Sequence, residues 1–187
     1  METQKRVLGS IDFTLSSPLK PWGMYPEHYA FSGKGTVNVL TNDASVAAGE
    51  IRFALAKIAE ARAAGVNMEE VTKAHSFGFN LSSSGLFDIR GRFRPRHKIE
   101  RQVDNLLYIE KIEWESDFGS RSLLAQTVET TIALLAPSGL VLACFQTINK
   151  FGLIWEEHGF KSAGKSAYLL RDNLEVDFDR MATRTIL

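Results

Sequence analysis

The residues best suited to chemistry lie in one stretch, Ile112-Glu113-Trp114-Glu115-Ser116-Asp117-Phe118-Gly119-Ser120-Arg121-Ser122-Leu123-Leu124. A strand pattern runs into a glycine-containing turn, and a helical pattern opens directly after it. Backbone N–H groups at a helix start have no partner within the helix, and the macrodipole adds partial positive charge, so such a turn suits a phosphate. Gly119 lets backbone approach a ligand, Ser120 and Ser122 offer hydroxyl donors, and Arg121 offers a charged contact to a pyrophosphate oxygen. The same residues also read as plain structure, Ser120 as a helix N-cap and Gly119 as a turn residue. In the strand ahead, Glu110 and Glu113 are the carboxylates able to accept a proton directly or through water. Strict alternation sets them on opposite faces, so at most one faces a common cleft, and Glu113 is nearer the turn. Solvation, or pairing with Lys111 and nearby arginines, is the alternative for both.

These residues need a frame. Leu106 to Glu115 reads as a strong strand with Tyr108, Ile112 and Trp114 on one face. The helix after Ser120 carries a stripe of Leu124, Val128 and Leu135 and stops at Pro137-Ser138-Gly139. Leu140 to Phe145 has the unbroken apolar character of a parallel strand covered on both faces, so strand, helix and strand form a βαβ unit with a right-handed crossover. Cys144 lies in that run and reads as core, because a catalytic thiol needs an exposed, electropositive setting. An amphipathic helix over 149–158 leads through Gly159-Phe160 to a strand, Ala167 to Arg171.

Upstream, Arg6 to Leu15 reads as a strand. The Pro- and aromatic-rich Ser17 to Tyr29 reads as a rigid loop, either a cover over one edge of the core or a wall of a ligand pocket. Gly33-Lys34-Gly35 reads as a turn or hairpin before a short strand, Thr36 to Leu40, since a dinucleotide fingerprint would follow a strand. Thr41 to Ser45 supplies caps for a helix with Ile51, Leu55 and Ile58 at i, i+4 and i+7, ended by Gly65. Asn67 caps a shorter helix, Met68 to Ala74. Leu86 to Arg94 alternates as a half-buried strand, with Arg90, Arg92, Arg94, Arg96, His97, Lys98 and Arg101 concentrating positive charge. That charge suits nucleic acid, an acidic protein substrate, the phosphates of a cofactor, or simply a solvated edge strand.

The order of these elements resembles the GNAT acetyltransferase superfamily over about Thr36 to Arg171. The strand, turn and helix through Gly119 match its pyrophosphate turn in the central glycine, with Ser116 and Arg121 at the flanking positions. Gly159-Phe160 matches the family's Gly-Phe pair, and Trp155 stands where many members carry a tyrosine that protonates the leaving thiolate. An indole N–H donates a hydrogen bond but has no usable acidity. The resemblance implies an α/β (α+β) sandwich with a mixed, mostly antiparallel sheet, flanking helices and a βαβ acyl-CoA-binding half. It implies acetyl-CoA as co-substrate, held by Ile112, Trp114, Gly119, Ser120, Arg121 and Ser122, and transfer to an amine of a small molecule or protein with Glu113 or Glu110 as base. The departures at Ser116 and Trp155 open the alternative of an inactive GNAT-like binding or interaction protein. Residues 1–35 then stand as an N-terminal extension packed on a single domain, 1–187.

The totals narrow the classes. The chain has 187 residues, 44% hydrophobic and 24% charged, which is the composition of one globular domain. Twenty-two basic residues balance 22 acidic ones, which argues against nucleic acid as the main partner. One cysteine excludes an internal disulfide and suits a reducing compartment. METQKRVLGS lacks the apolar core of a signal peptide, and the most apolar stretch is broken by Pro137-Ser138-Gly139, so a cytoplasmic protein without a membrane span is expected. The histidines show no metal-ligand spacing, and neither G-x-S-x-G nor a P-loop is present, so hydrolase, zinc and NTPase classes have no support.

Overall fold

A computed structural model describes residues 7–16, 25–41, 44–73, 85–115, 117–144, 155–163 and 168–173. The chain is a mixed α+β protein built on a seven-stranded sheet, β1 (Val7–Ser16), β2 (Ala30–Thr41), β3 (Ala44–Lys57), β4 (Asn105–Trp114), β5 (Leu140–Cys144), β6 (Lys161–Ser162) and β7 (Tyr168–Asp172). Its order is β1-β2-β3-β4-β5-β7-β6. All described pairs are antiparallel except β4 with β5, which run parallel with Leu106 opposite Leu140 and Ile109 opposite Ala143. Three helices complete the described fold, α1 (Ile58–Ala63), α2 (Met68–Lys73) and α3 (Arg121–Leu135).

Helix α3 covers one face of the sheet. Leu124, Val128 and Ile132, at i, i+4 and i+8, are buried with Val37, Ile51, Phe53, Leu107, Ile109, Val141 and Ala143. The other face is covered at one end by α1, α2 and the segment 85–99, through Ile58, Met68, Val71, Leu86 and Phe87 against Ala54, Ala56, Leu106, Tyr108 and Leu142. Strand β5 lies between both layers, and Leu140 to Ala143 are wholly buried, as expected of a parallel strand covered on both sides. The expected βαβ unit of β4, α3 and β5 is present.

Four expectations fail. The stretch after Ser45, read as a helix, forms most of β3, and the helix begins only at Ile58. Ile51, Phe53 and Leu55 alternate as a strand requires, but Ala54 and Ala56 are buried on the opposite face, which fills the polar gaps and imitates a helical stripe. Gly33-Lys34-Gly35 lies inside β2, which begins at Ala30, and is no turn. Phe13 sits opposite Gly35 and Phe53 opposite Gly33, their rings meet edge to face at 5.6 Å, and a Cβ on Gly33 would lie 2.5 Å from Phe53 Cζ. The glycines are thus the space into which two phenyl rings pack. Strand β1 and the start of β2 fall within residues 1–35, so that stretch supplies part of the sheet itself.

Leu86 to Arg94 is the third correction. Only Phe87 and Phe93 bridge, with rings stacked at 4.9 Å, and the residues between them form a tight turn. Asp88 organises it: Oδ1 accepts from the N–H groups of Arg90 and Arg92, each at 2.9 Å, and Oδ2 accepts from the Arg92 guanidinium. Residues 98–103 are irregular as well. The fourth concerns the faces of β4. Arg52 pairs with Lys111 and Phe53 with Ile109, so Glu110 is an extra residue in the ladder, a β-bulge. Ile112 therefore shares the α3-side core with Leu107 and Ile109, and Tyr108 faces the other way.

Candidate functional site

Strand β4 and helix α3 meet at the turn singled out by sequence. Glu115 N–H donates to Ala48 O at 2.9 Å and Phe118 N–H to Glu115 O at 3.0 Å, which folds the chain back toward α3. Ser120 is the N-cap: its Oγ accepts from Leu123 N–H at 3.2 Å and its carbonyl from Leu124 N–H at 3.0 Å. The first-turn amides of Arg121 and Ser122 have no acceptor among the described residues, as expected of helix positions that a single cap does not reach. Ser122 Oγ accepts from Gln126 Nε2 at 3.1 Å, and Arg121 lies 3.8 Å from Glu157, both side chains half exposed. Gly119 is partly buried and is not among the described glycines with a left-handed backbone.

On the strand side, Ile112 is buried in the core under α3, so only its backbone faces outward. Trp114 packs against Val39, Ala48, Leu123 and Phe118, and its indole N–H is buried without an acceptor among the described residues. Among the described residues β4 pairs with β5 as far as Ile109 opposite Ala143, and β4 continues to Trp114. The structure therefore brings Trp114, Gly119, Ser120, Arg121 and Ser122 to one end of the β4–α3 junction.

The two carboxylates do not follow the alternation expected of them, because Glu110 is the bulge. Glu113 is opposite Glu50, is half exposed, and holds Lys111 Nζ at 2.5 Å. Glu50 in turn holds Arg52 Nε at 2.7 Å, with Lys34 at 3.9 Å. The hydrogen bond and charge of Glu50, then the charges of Glu113 and Glu110, raise the Arg52 guanidinium above its ordinary value. Both candidate bases thus act on the same cation, on the part of the sheet that α1 and α2 leave open.

Sequence reasoning missed a charged cluster beneath α3. Arg171 on β7 is completely buried, its Nη1 donates to Glu129 Oε1 at 2.6 Å, and its guanidinium lies 5.7 Å from the Phe160 ring. His158 Nδ1 lies 3.2 Å from the same Glu129 oxygen. Burial pushes the Glu129 carboxyl up, but the hydrogen bonds from His158 and Arg171 outweigh it and hold it below its ordinary value. Nε and Nη2 of Arg171 have no acceptor among the described residues. The available signal was an arginine at an inward position of the strand Tyr168-Leu169-Leu170-Arg171. Trp155 is buried too, edge-on to Phe160 at 5.4 Å, in a short 3-10 turn over Trp155–His158. The rest of the helix expected over 149–158, and the side chain of Cys144, lie outside the described residues, as does most of the loop expected over 17–29.

The basic stretch proves dispersed. Arg94 donates to Phe87 O, Arg96 to Gly85 O, and Arg101 to Asp172 and Ser138 O, which ties the 98–104 segment to β7. Among the described residues no group of three or more His, Cys, Asp or Glu is placed to hold a metal ion, and no helix is long and apolar enough to cross a membrane. Neither a protein-family model, nor a curated protein, nor a solved structure matches the chain.

Proposed function

We propose that the chain is an N-acyltransferase of GNAT type that binds acetyl-CoA at the β4–α3 junction and transfers the acetyl group to an amine. The observation that carries this reading is the β4–α3 turn, where Ser120 caps the helix and the amides of Arg121 and Ser122 have no acceptor among the described residues. The donor set at the turn suits a pyrophosphate, with the amides of Arg121 and Ser122 and the Arg121 guanidinium all of donor type. The thioester supplies the activated acyl group when bound. Glu113, exposed and already bonded to Lys111, suits proton removal through water more than by direct contact.

One observation favours a second reading, a GNAT-like module that binds without catalysing. Trp155, at the position the resemblance assigns to a general acid, is buried against Phe160 and has no proton to give a thiolate. Thermal unfolding with acetyl-CoA at a hundred times its dissociation constant should stabilise the protein by about 2.7 kcal/mol, and an absent shift defeats both readings. Where a shift is seen, release of free thiol in the presence of amines identifies the enzyme, and its absence identifies the module. Gly119→Trp should abolish the shift while leaving the fold intact.

A further inference from the structure

A cavity of about 560 Å³ opens where the α1–α2 connection meets the 88–92 turn, lined by Arg62, Asn67, Met68, Arg90, Gly91 and Arg92 among others. Its volume is that of a small-molecule site. The two walls are fastened to each other. Asn67 Nδ2 donates to Ile89 O at 3.3 Å while its Oδ1 accepts from Glu69 N–H at 2.8 Å. Gly91, at φ 70°, sits so close that a Cβ would meet Asn67 Oδ1 at 2.5 Å and Met68 N at 2.7 Å. Only glycine allows both that backbone conformation and that approach.

Three guanidinium groups line this cavity and no carboxylate does. Arg92 is engaged by Asp88, the one acid in the turn. Arg62 and Arg90 have no side-chain acceptor among the described residues. The Arg62 guanidinium lies 5.0 Å from the Phe93 ring centroid, and burial lowers it from its ordinary value. A partly desolvated guanidinium stacked on an aromatic ring, with its donors unengaged, is primed for an anion. Three arginines against one aspartate leave two positive charges, which match a dianion. Most of the lining backbone amides are already committed, Val66 N–H to Ala61 O, Gly91 N–H to Asp88 O and those of Arg90 and Arg92 to Asp88 Oδ1, so recognition falls mainly to the side chains.

We propose that this cavity binds a compact phosphomonoester dianion, gripped between Arg62 and Arg90 and flanked by Arg92. An extended nucleic-acid backbone fits less well. A phosphate track needs a continuous basic row, and Arg94, Arg96 and Arg101 are directed onto Phe87 O, Gly85 O and Asp172 instead. The site is remote in sequence from the β4–α3 turn and does not depend on the acyl-transfer reading.

The test is a titration of the 15N-labelled protein with inorganic phosphate and with adenosine 5′-monophosphate, against sodium chloride at equal ionic strength. The expected result is a saturable shift of the amides of residues 62, 65–68 and 89–92 with both phosphates and not with chloride. Arg90→Gln, at an exposed position, should weaken it at least tenfold, about 1.4 kcal/mol. Arg62→Gln should do the same, and Gly91→Ala, which pushes the walls apart, should abolish it, with unchanged spectra elsewhere confirming the fold. Equal shifts with chloride, shifts at other residues only, or undiminished binding in Arg90→Gln would each overturn the proposal. So would a single-stranded oligonucleotide that binds more tightly than the monophosphate and depends on Arg90.

Discussion

Replacing Glu129 with alanine removes the carboxylate bonded to a completely buried guanidinium. Arg171 Nη1 lies 2.6 Å from Glu129 Oε1, and Nε and Nη2 have no acceptor among the described residues, so among these the variant leaves the cation only the Phe160 ring at 5.7 Å. Breaking one side of a buried pair costs about 3–5 kcal/mol, because the remaining charge is uncompensated. The Glu129 side chain is 28% exposed, so water can reach the vacated volume and the lower bound, about 3 kcal/mol, is expected. For a chain of this size that lowers Tm by about 6–12 °C. The control separates charge from packing. In Glu129→Leu/Arg171→Met both charges go while apolar volume is kept, and the double variant should unfold within about 1 kcal/mol of the parent. Thermal and urea unfolding of Glu129→Leu, Arg171→Met and the double variant form the cycle. A Tm loss under about 3 °C for Glu129→Ala, or a double variant as unstable as the summed singles, refutes the reasoning.

The same cluster shapes the acid limb of stability: Glu129 is held below its ordinary value in the fold, so its contribution is full above the unfolded carboxyl value and is lost as pH falls through the folded one. Glu129→Gln should flatten that limb in pH-dependent urea midpoints. His97 is pushed below its ordinary 6.5, first by burial and then by the charges of Arg96 and Arg94, against the opposing bond to Gly85 O. The unfolded chain therefore takes up the proton first, so stability declines as pH drops from 6.5 through the lower folded value, and His97→Gln should remove that slope. Gly33→Ala places a Cβ 2.5 Å from Phe53 Cζ and 2.9 Å from Thr14 O, and overpacking of this kind should cost about 1–3 kcal/mol in chemical denaturation.

The part of the fold readable in the sequence is the part whose signals are local. Ser120 ahead of an apolar stripe, Pro137-Ser138-Gly139 behind it and the unbroken Leu140 to Ala143 fix α3 and β5 without reference to the rest of the chain, and Asn67 marks α2 in the same way. Strand β3 was not readable because one of its two partners, β4, is distant in sequence, and so are the helices that cover its faces. With each face covered over part of its length, alanines take the places where a half-buried strand would show polar residues. The Gly-Lys-Gly of β2 requires knowledge of two phenylalanines from neighbouring strands. At the candidate site the residue types at the turn were legible, but the relation of Glu110 to Glu113 was not, since a bulge leaves no mark in one strand considered alone. Arg171 was legible only as an anomaly in an apolar strand.

The bulge at Glu110 has two counterparts, Gly9 in β1 and Ala48 in β3, each the extra residue where its ladder slips. Each inserts a half-step in the side-chain phase of its strand and adds local right-handed twist. Insertions and deletions here are therefore unequal in effect. Removing Glu110 would leave Ile109 opposite Phe53 and Lys111 opposite Arg52, so every side chain of β4 would keep its face, whereas removing Ile112 would turn Glu113 toward α3 and Trp114 away from it. A chain drifting by single-residue indels can lose the extra residue at these three positions and keep its faces, yet one codon lost from the regular stretches between them turns half a strand inside out.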